Sequence, residues 1–210
     1  MIDTIIFDFD GTLANTNQMI INSFRHIYSS FLEEECSEEY IMSTFGEPLE
    51  LTLRRDFGKF PFEDVIEAYR NYQRDRFNQE VTLYETVEET LKYLKSKNIK
   101  LGIATSRLRH STVSALENFN IACYFDSVVS ADDVQKHKPD KEPLMKVINE
   151  LNTTAERTLY VGDSKFDMEC AINASTTPVL VGWQSNSREL ADKYNIKHVL
   201  DKMWDITKLI

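Results

Sequence analysis

Asp8 and Asp10 stand together in FDFDGTLANTN (residues 7–17), directly after the largely apolar run Ile2-Asp3-Thr4-Ile5-Ile6. Two neighbouring carboxylates repel unless a cation, a proton or a hydrogen-bond donor compensates them. Further along, Thr105 and Ser106 follow Leu101-Gly-Ile-Ala, Lys138 sits in Lys136-His137-Lys138-Pro139, and Asp163 and Asp167 follow Tyr160-Val161-Gly162. The last two acids are four residues apart, so one helical turn turns both toward the same point. Taken singly, each has a plainer role. Thr105, Ser106 or Asp163 would cap a helix, and Lys138 would be a solvated surface lysine. Taken together, four carboxylates, a hydroxyl and a lysine make a site for a hard cation and a phosphate. Oxygen ligands suit Mg²⁺, and lysine and hydroxyl neutralise the remaining phosphate charge.

Such a collection needs a scaffold that brings distant residues to one edge. Residues 1–14 read as a strand and turn, and a continued strand would put Asp8 and Asp10 on one face, because side chains alternate with period two. From residue 15 to 81 the pattern is helical. Met19, Ile20, Phe24, Ile27, Phe31 and Leu32 recur at helical spacing, Ser37 reads as an N-cap, Gly46 and Pro48 end a short helix, and another runs over about 62–78. The tyrosines and phenylalanines of that segment read as packing. After Val81, a helix over 85–97 leads to strands at 100–105, 127–130, 158–162 and 178–182, separated by helical stretches. Apolar strands alternating with helices predict a Rossmann-like α/β core with a parallel sheet covered on both faces. Its parts are 1–14 and 82–210, with 15–81 an inserted helical cap. In open parallel sheets, ligands bind beyond the carboxyl ends of the strands, which is where these polar residues fall.

Composition narrows the function. With 42% hydrophobic and 28% charged residues over 210 positions, the chain can fold around a sizeable core. Its 24 basic against 34 acidic residues give a net charge of −10. That balance argues against nucleic acid and anionic membranes as partners. No apolar run reaches the length of a membrane span, and the first residues have no leader-peptide pattern. Cys36, Cys123 and Cys170 are scattered and odd in number, as reduced thiols of a cytoplasmic protein would be. Glycine-loop nucleotide motifs and a GxSxG elbow are absent.

Four segments carry a family resemblance. DFDGTLANT, LGIATSR, KPDKEP and YVGDSKFDMECA resemble, in order, the four motifs of the haloacid dehalogenase superfamily phosphohydrolases. The resemblance implies Asp8 as nucleophile, forming an aspartyl-phosphate, and Asp10 as acid and then base. It implies Thr105 and the Ser106 amide as phosphate holders, and Lys138 as the stabiliser of nucleophile and transition-state charge. Mg²⁺ would be held by Asp8, the Asp10 main-chain carbonyl and Asp163, with Asp167 supporting that shell. Gly11 would shape the turn at the phosphate. The 15–81 insert falls where that family carries a small mobile cap.

Within the family, NTNQMIINSF, ADDVQKHKPDKEPL and LDKMWDITKL resemble the phosphoglycolate phosphatase-like branch, and within it the small bacterial inorganic pyrophosphatases. By the same resemblance, FGEPLE would close over the site, bringing Gly46 and Glu47 near the leaving group. Arg107 and Arg109 would meet a second phosphate, or else be exposed helix-start arginines. The expected activity is Mg²⁺-dependent hydrolysis of pyrophosphate, by a monomer or weak homodimer. A small organic phosphate such as 2-phosphoglycolate or a sugar phosphate is the alternative substrate. A phospho-acceptor signalling module fits less well, because it would not place a long helical insert after the first acid pair. Two departures stand out: Asn15 where relatives are commonly acidic, and Ser175 where they usually have glycine.

Overall fold

The computed structural model describes all 210 residues. Strand β1 (Thr4–Phe7) is buried at every position, as a central parallel strand must be. The chain then turns at Gly11 into β2 (Ala14–Asn15) and enters four helices. These are α1 (Asn17–Ile27), α2 (Glu38–Ser43), α3 (Leu49–Asp56) and α4 (Phe62–Glu80). It returns through β3 (Thr82–Leu83), which pairs antiparallel with β2. The core resumes with α5 (Val87–Ser96), β4 (Lys100–Ala104), α6 (Arg109–Asn118), β5 (Ser127–Val129) and α7 (Glu142–Glu150). Then follow β6 (Thr158–Gly162), α8 (Lys165–Asn173), β7 (Thr177–Val181), α9 (Ser187–Tyr194), β8 (His198–Leu200) and a terminal 3₁₀ segment (Met203–Leu209).

Six strands form one parallel sheet in the order β5-β4-β1-β6-β7-β8. Counted along the core alone, that is the doubly wound order 3-2-1-4-5-6, whose reversal beside the first strand opens a crevice at the carboxyl edge. The period of two divides the core. Ile5 and Phe7 of β1 face one cluster with Leu91 and Leu94 of α5 and Leu116 of α6. Ile6, between them, faces the opposite cluster with Leu144 and Val147 of α7 and Cys170 of α8. Truncating Ile6 to alanine would cost about 2–5 kcal/mol.

The insert has its own core. Phe24 and Ile27 of α1 pack with Ile41, Leu53, Phe57, Val65, Ile66 and Tyr69 of the later helices. Ser37 caps α2 as expected, its side chain accepting from the Tyr40 amide, with Glu38 and Glu39 favourably placed in the first turn. The helical pattern expected to continue to Leu32 stops as regular α-helix at Ile27, widens into a π-type turn over Tyr28–Leu32, and ends at Glu33 with φ +54°.

Other expected bounds hold to within two residues. The pairs β2/β3, β8 and the terminal 3₁₀ segment were not anticipated. The expectation of one continuous acidic strand is corrected. Regular β1 ends at Phe7, the Asp8 amide still bonds to the Val161 carbonyl, and Asp10 already belongs to the turn, bridged to Ala14.

Candidate active site

The carboxyl edge of β1, β4 and β6 gathers the residues singled out in the sequence. Asp8, Asp10, Gly46, Thr105, Ser106, Arg107 and Asp163 line one cavity between core and cap, while Gly11, Lys138 and Asp167 lie behind its floor. The centre is Lys138. Its ammonium, 1% exposed, lies 3.0 Å from Asp8 Oδ2 and 2.7 Å from Asp167 Oδ1, with the Tyr160 hydroxyl at 3.3 Å. Burial alone would lower the Lys138 pKa, but the Asp167 and Asp8 charges raise it well above its usual value. This lysine is no solvated surface group.

Asp167 is saturated with donors. Its Oδ1 meets Lys138 and the Tyr160 hydroxyl (2.7 Å), and its Oδ2 accepts from the Ser164 hydroxyl (2.6 Å) and from the Ser164 and Asp163 amides. Burial works against its charge, yet Lys138, Ser164 and Tyr160 together hold its pKa below the carboxylate range. Asp167 therefore orients Lys138 and the loop that carries Asp163. Asp8 differs. Its Oδ1 is buried without a partner, and burial, opposed by Lys138 and reinforced by Asp167 and Asp10, pushes its pKa up to about 7. Burial and the charges of Asp167 and Asp8 likewise push Asp163 well above its ordinary value.

Oxygens of Asp8, Asp163 and Asp167 lie within 4.8 Å of one another. Three buried carboxylates against one ammonium leave two negative charges, which a divalent cation balances. The donors are all hard carboxylate oxygens. That set fits Mg²⁺. The Asp10 carboxylate stands outside it, on Arg107.

The side expected to hold phosphate is equally defined. Thr105 is buried and its hydroxyl accepts from the Arg107 amide at 3.3 Å, leaving its own proton free to donate. The Ser106 hydroxyl donates to the Gly46 carbonyl at 3.1 Å, and its amide has no acceptor within the protein. Helix α6 starts later, after Leu108, so neither residue caps it; Ser164, not Asp163, caps α8. Gly11, at φ +71°, has its carbonyl held by Trp183 Nε1 and Gln184 Nε2, both at 2.9 Å, and a Cβ there would overlap Asp163 Oδ2. Gly46, at φ +83°, rests on Ser164 and Phe166 of the core.

The two arginines part company. Arg107 is 9% exposed, sits over the Phe9 and Phe77 rings, and pairs with Asp10 Oδ1 at 2.9 Å; its buried Nε is unpartnered. Arg109 instead binds Asp133 and the Val128 carbonyl and does not line the cavity. Of the two expected places, Arg109 takes that of an exposed helix-start arginine, because the chain turns into α6 between the two residues. Glu47 lines the cavity, but its carboxylate is taken up by Thr52 and Arg55.

A profile of the family described as haloacid dehalogenase-like hydrolase matches residues 5–181. The chain belongs to the haloacid dehalogenase-like hydrolases. It is 36% identical to the pyrophosphatase PpaX of Bacillus mycoides over 210 residues, covering all of this chain and 97% of that one. It is 34% identical to the pyrophosphatase PpaX of Bacillus cereus strain G9842, covering all of this chain and 96% of the other. The fold matches a haloacid dehalogenase-like hydrolase from Streptococcus pneumoniae at a TM-score of 0.85 and 21% identity, over 99% and 98% of the two chains.

As a haloacid dehalogenase-like hydrolase, the chain explains one departure directly. Ser175 adopts φ +59°, the left-handed conformation that glycine takes most readily. Asn15 is exposed on β2 and does not line the cavity. Three contributors escaped the sequence reading: Tyr160, inside an apolar strand, and Trp183 and Gln184, just past β7. The signal for the last two was their place at a strand's carboxyl end. Tyr69 and Phe77, read only as packing, also line the cavity. No helix is long and apolar enough to cross a membrane.

Proposed function

We propose that this hydrolase cleaves inorganic pyrophosphate to two phosphates, with magnesium, through a phosphoaspartate on Asp8. The observation that carries the reading is the asymmetry of Asp8, a residue that lines the cavity with Thr105: Lys138 holds Oδ2 at 3.0 Å, while Oδ1 has no partner within the protein. A carboxylate fixed by one oxygen presents the other for attack. Asp8, the Asp10 main-chain carbonyl and Asp163 would hold the metal, with Asp167 behind them. Magnesium bound there supplies positive charge to the phosphoryl oxygens and screens Asp8 from the incoming anion.

Asp8 Oδ1 forms a bond to phosphorus as the bond to the bridging oxygen breaks. Asp10 gives that leaving oxygen its proton. A water then attacks the aspartyl phosphorus, Asp10 takes the water's proton, and the Asp8–phosphorus bond breaks. Both carboxyls return to their starting state. Proton transfer of this kind is worth roughly 10²–10⁴-fold. The Thr105 hydroxyl and Ser106 amide hold the transferring group's oxygens, Lys138 takes up its equatorial charge, and Arg107 receives the departing phosphate. Full-length similarity to pyrophosphatases supports this choice of substrate.

We take the core as residues 1–14 and 82–210 and the cap as 15–81; the cap's own apolar cluster supports this, while Met19, Phe77 and Val81 pack into the core cluster at the seam. The three free thiols support a reducing, cytoplasmic setting, and we take the chain to act as a monomer or weak dimer. The test is phosphate release from pyrophosphate, 2-phosphoglycolate, glucose 1-phosphate and p-nitrophenyl phosphate, with Mg²⁺ and with EDTA. The expected result is the highest kcat/KM on pyrophosphate, abolished by EDTA. A higher value on a carbon-bearing phosphate overturns the substrate.

A further inference from the structure

The cavity is larger than two phosphoryl groups require. Its volume is about 770 Å³, within the roughly 300–1,000 Å³ that pockets for drug-sized ligands occupy. Beyond Arg107 it runs between α4 of the cap and α6 of the core. These helices are joined at their far ends by Asn118 Nδ2 on Asn78 Oδ1 at 3.1 Å, and by Phe77 against Phe119.

Arg70 and Arg74 line that stretch, one turn apart on α4. The chain has ten arginines, and seven of them lie within salt-bridge distance of a carboxylate. The three that do not are Arg70, Arg74 and Arg188, and two of these three face the cavity. The two cap carboxylates that line the cavity are already engaged, Glu47 by Arg55 at 3.1 Å and Glu50 by Arg54 at 2.8 Å. In a chain of net charge −10, two unpaired guanidinium groups on a cavity wall select an anion. They also continue a line. Phe77 lies under the Arg107 guanidinium, and Arg74 and Arg70 follow about 4.5 and 10.5 Å away along the helix axis, at 1.5 Å per residue.

We infer that Arg70 and Arg74 form a distal anion subsite for the third phosphoryl group of a linear oligophosphate, of which inorganic tripolyphosphate is the simplest. This rests on the phosphohydrolase reading above. The terminal phosphorus passes to Asp8, pyrophosphate leaves with the proton from Asp10, and water releases phosphate, so one tripolyphosphate gives one phosphate and one pyrophosphate. A charged hydrogen bond lost at such a subsite lowers kcat/KM by about tenfold or more.

The experiment compares kcat/KM for tripolyphosphate and pyrophosphate at saturating Mg²⁺ in the wild type, in the double variant Arg70→Gln/Arg74→Gln, and in Arg188→Gln. The expected result is a ratio, tripolyphosphate over pyrophosphate, that falls about tenfold or more in the double variant through KM, and is unchanged in Arg188→Gln. An unchanged ratio in the double variant, or a wild type that cleaves pyrophosphate but not tripolyphosphate, overturns the subsite. Cleavage of tripolyphosphate alone, with the arginine dependence, keeps the subsite and removes the pyrophosphate reading. If neither is cleaved, the readout is thermal stabilisation of Asp8→Asn by tripolyphosphate. Stabilisation that disappears with Arg70→Gln/Arg74→Gln supports the subsite, and its absence or indifference to those changes overturns it.

Discussion

Ser106 donates its hydroxyl to the Gly46 carbonyl at 3.1 Å, so the loop proposed to hold phosphate is bonded to the cap. A neutral hydrogen bond of this kind contributes about 0.5–1.5 kcal/mol. Ser106→Ala should therefore lower kcat/KM by roughly two- to tenfold and the melting temperature by at most a few degrees. Gly46→Ala should do more, because its φ of +83° and the Ser164 side chain leave no room for a Cβ. Steady-state kinetics and thermal melts of both variants check this, and equal activities would show that the contact does not govern closure.

Lys138 neutralises two buried carboxylates, and removing it leaves Asp8 without a counter-charge and Asp167 with only its neutral donors. Lys138→Met should abolish turnover and cost about 3–5 kcal/mol in chemical denaturation without metal. Adding Asp8→Asn to that variant should return part of the lost stability. A Lys138→Met protein as stable as the wild type would contradict the burial argument.

The pH response follows from Asp8. Its carboxyl is raised from 3.8 to about 7 by burial. The metal-free folded state therefore binds more protons than the unfolded state between these values. The contribution of this group to stability is full below pH ~4 and is lost as pH rises through about 7. Asp163, raised in the same sense, adds to the loss. Denaturation in EDTA at pH 5 and pH 8 should show the weaker fold at pH 8, and Mg²⁺ should stabilise more at pH 8 than at pH 5. In Asp8→Asn both differences should shrink.

Arg107 and Arg109 offer a matched pair. Arg107→Ala should lower kcat/KM on pyrophosphate by about tenfold or more, since it removes a charged contact inside the cavity. Arg109→Ala removes a half-exposed side chain's contacts with Asp133 and the Val128 carbonyl, outside the cavity, and activity should stay within about twofold, with a stability loss of about 1 kcal/mol. Comparable activity losses in the two would refute the assignment.

That pair also marks how far the sequence could be read. Two residues apart after the same strand, the arginines look alike on paper, and only the path of the loop into α6 separates them. Asp8, Thr105 and Asp163 were legible because each directly follows an apolar strand, and such strands announce themselves when both faces are buried. Trp183 and Gln184 occupy the equivalent place after β7, but neither residue type signals chemistry. Tyr160 was hidden by its surroundings, since a hydroxyl within Thr158-Leu-Tyr-Val-Gly162 reads as packing. The β2 and β3 strands are two residues each, too short to show any period.

Those two short strands have a wider consequence. Ala14–Asn15 pairs with Thr82–Leu83, so the chain leaves the core and comes back to it at adjacent points, about 5 Å apart as antiparallel partners are. Everything between behaves as a cassette. Its length adds little entropic cost to the core, because loop closure grows only logarithmically with the number of residues. A hairpin turn joining residues 15 and 82 would leave the strand order of the sheet intact, and a different helical insert could be spliced between the same two anchors. The sheet edge that carries Asp8 and the helical insert that covers it are thus free to diverge at different rates.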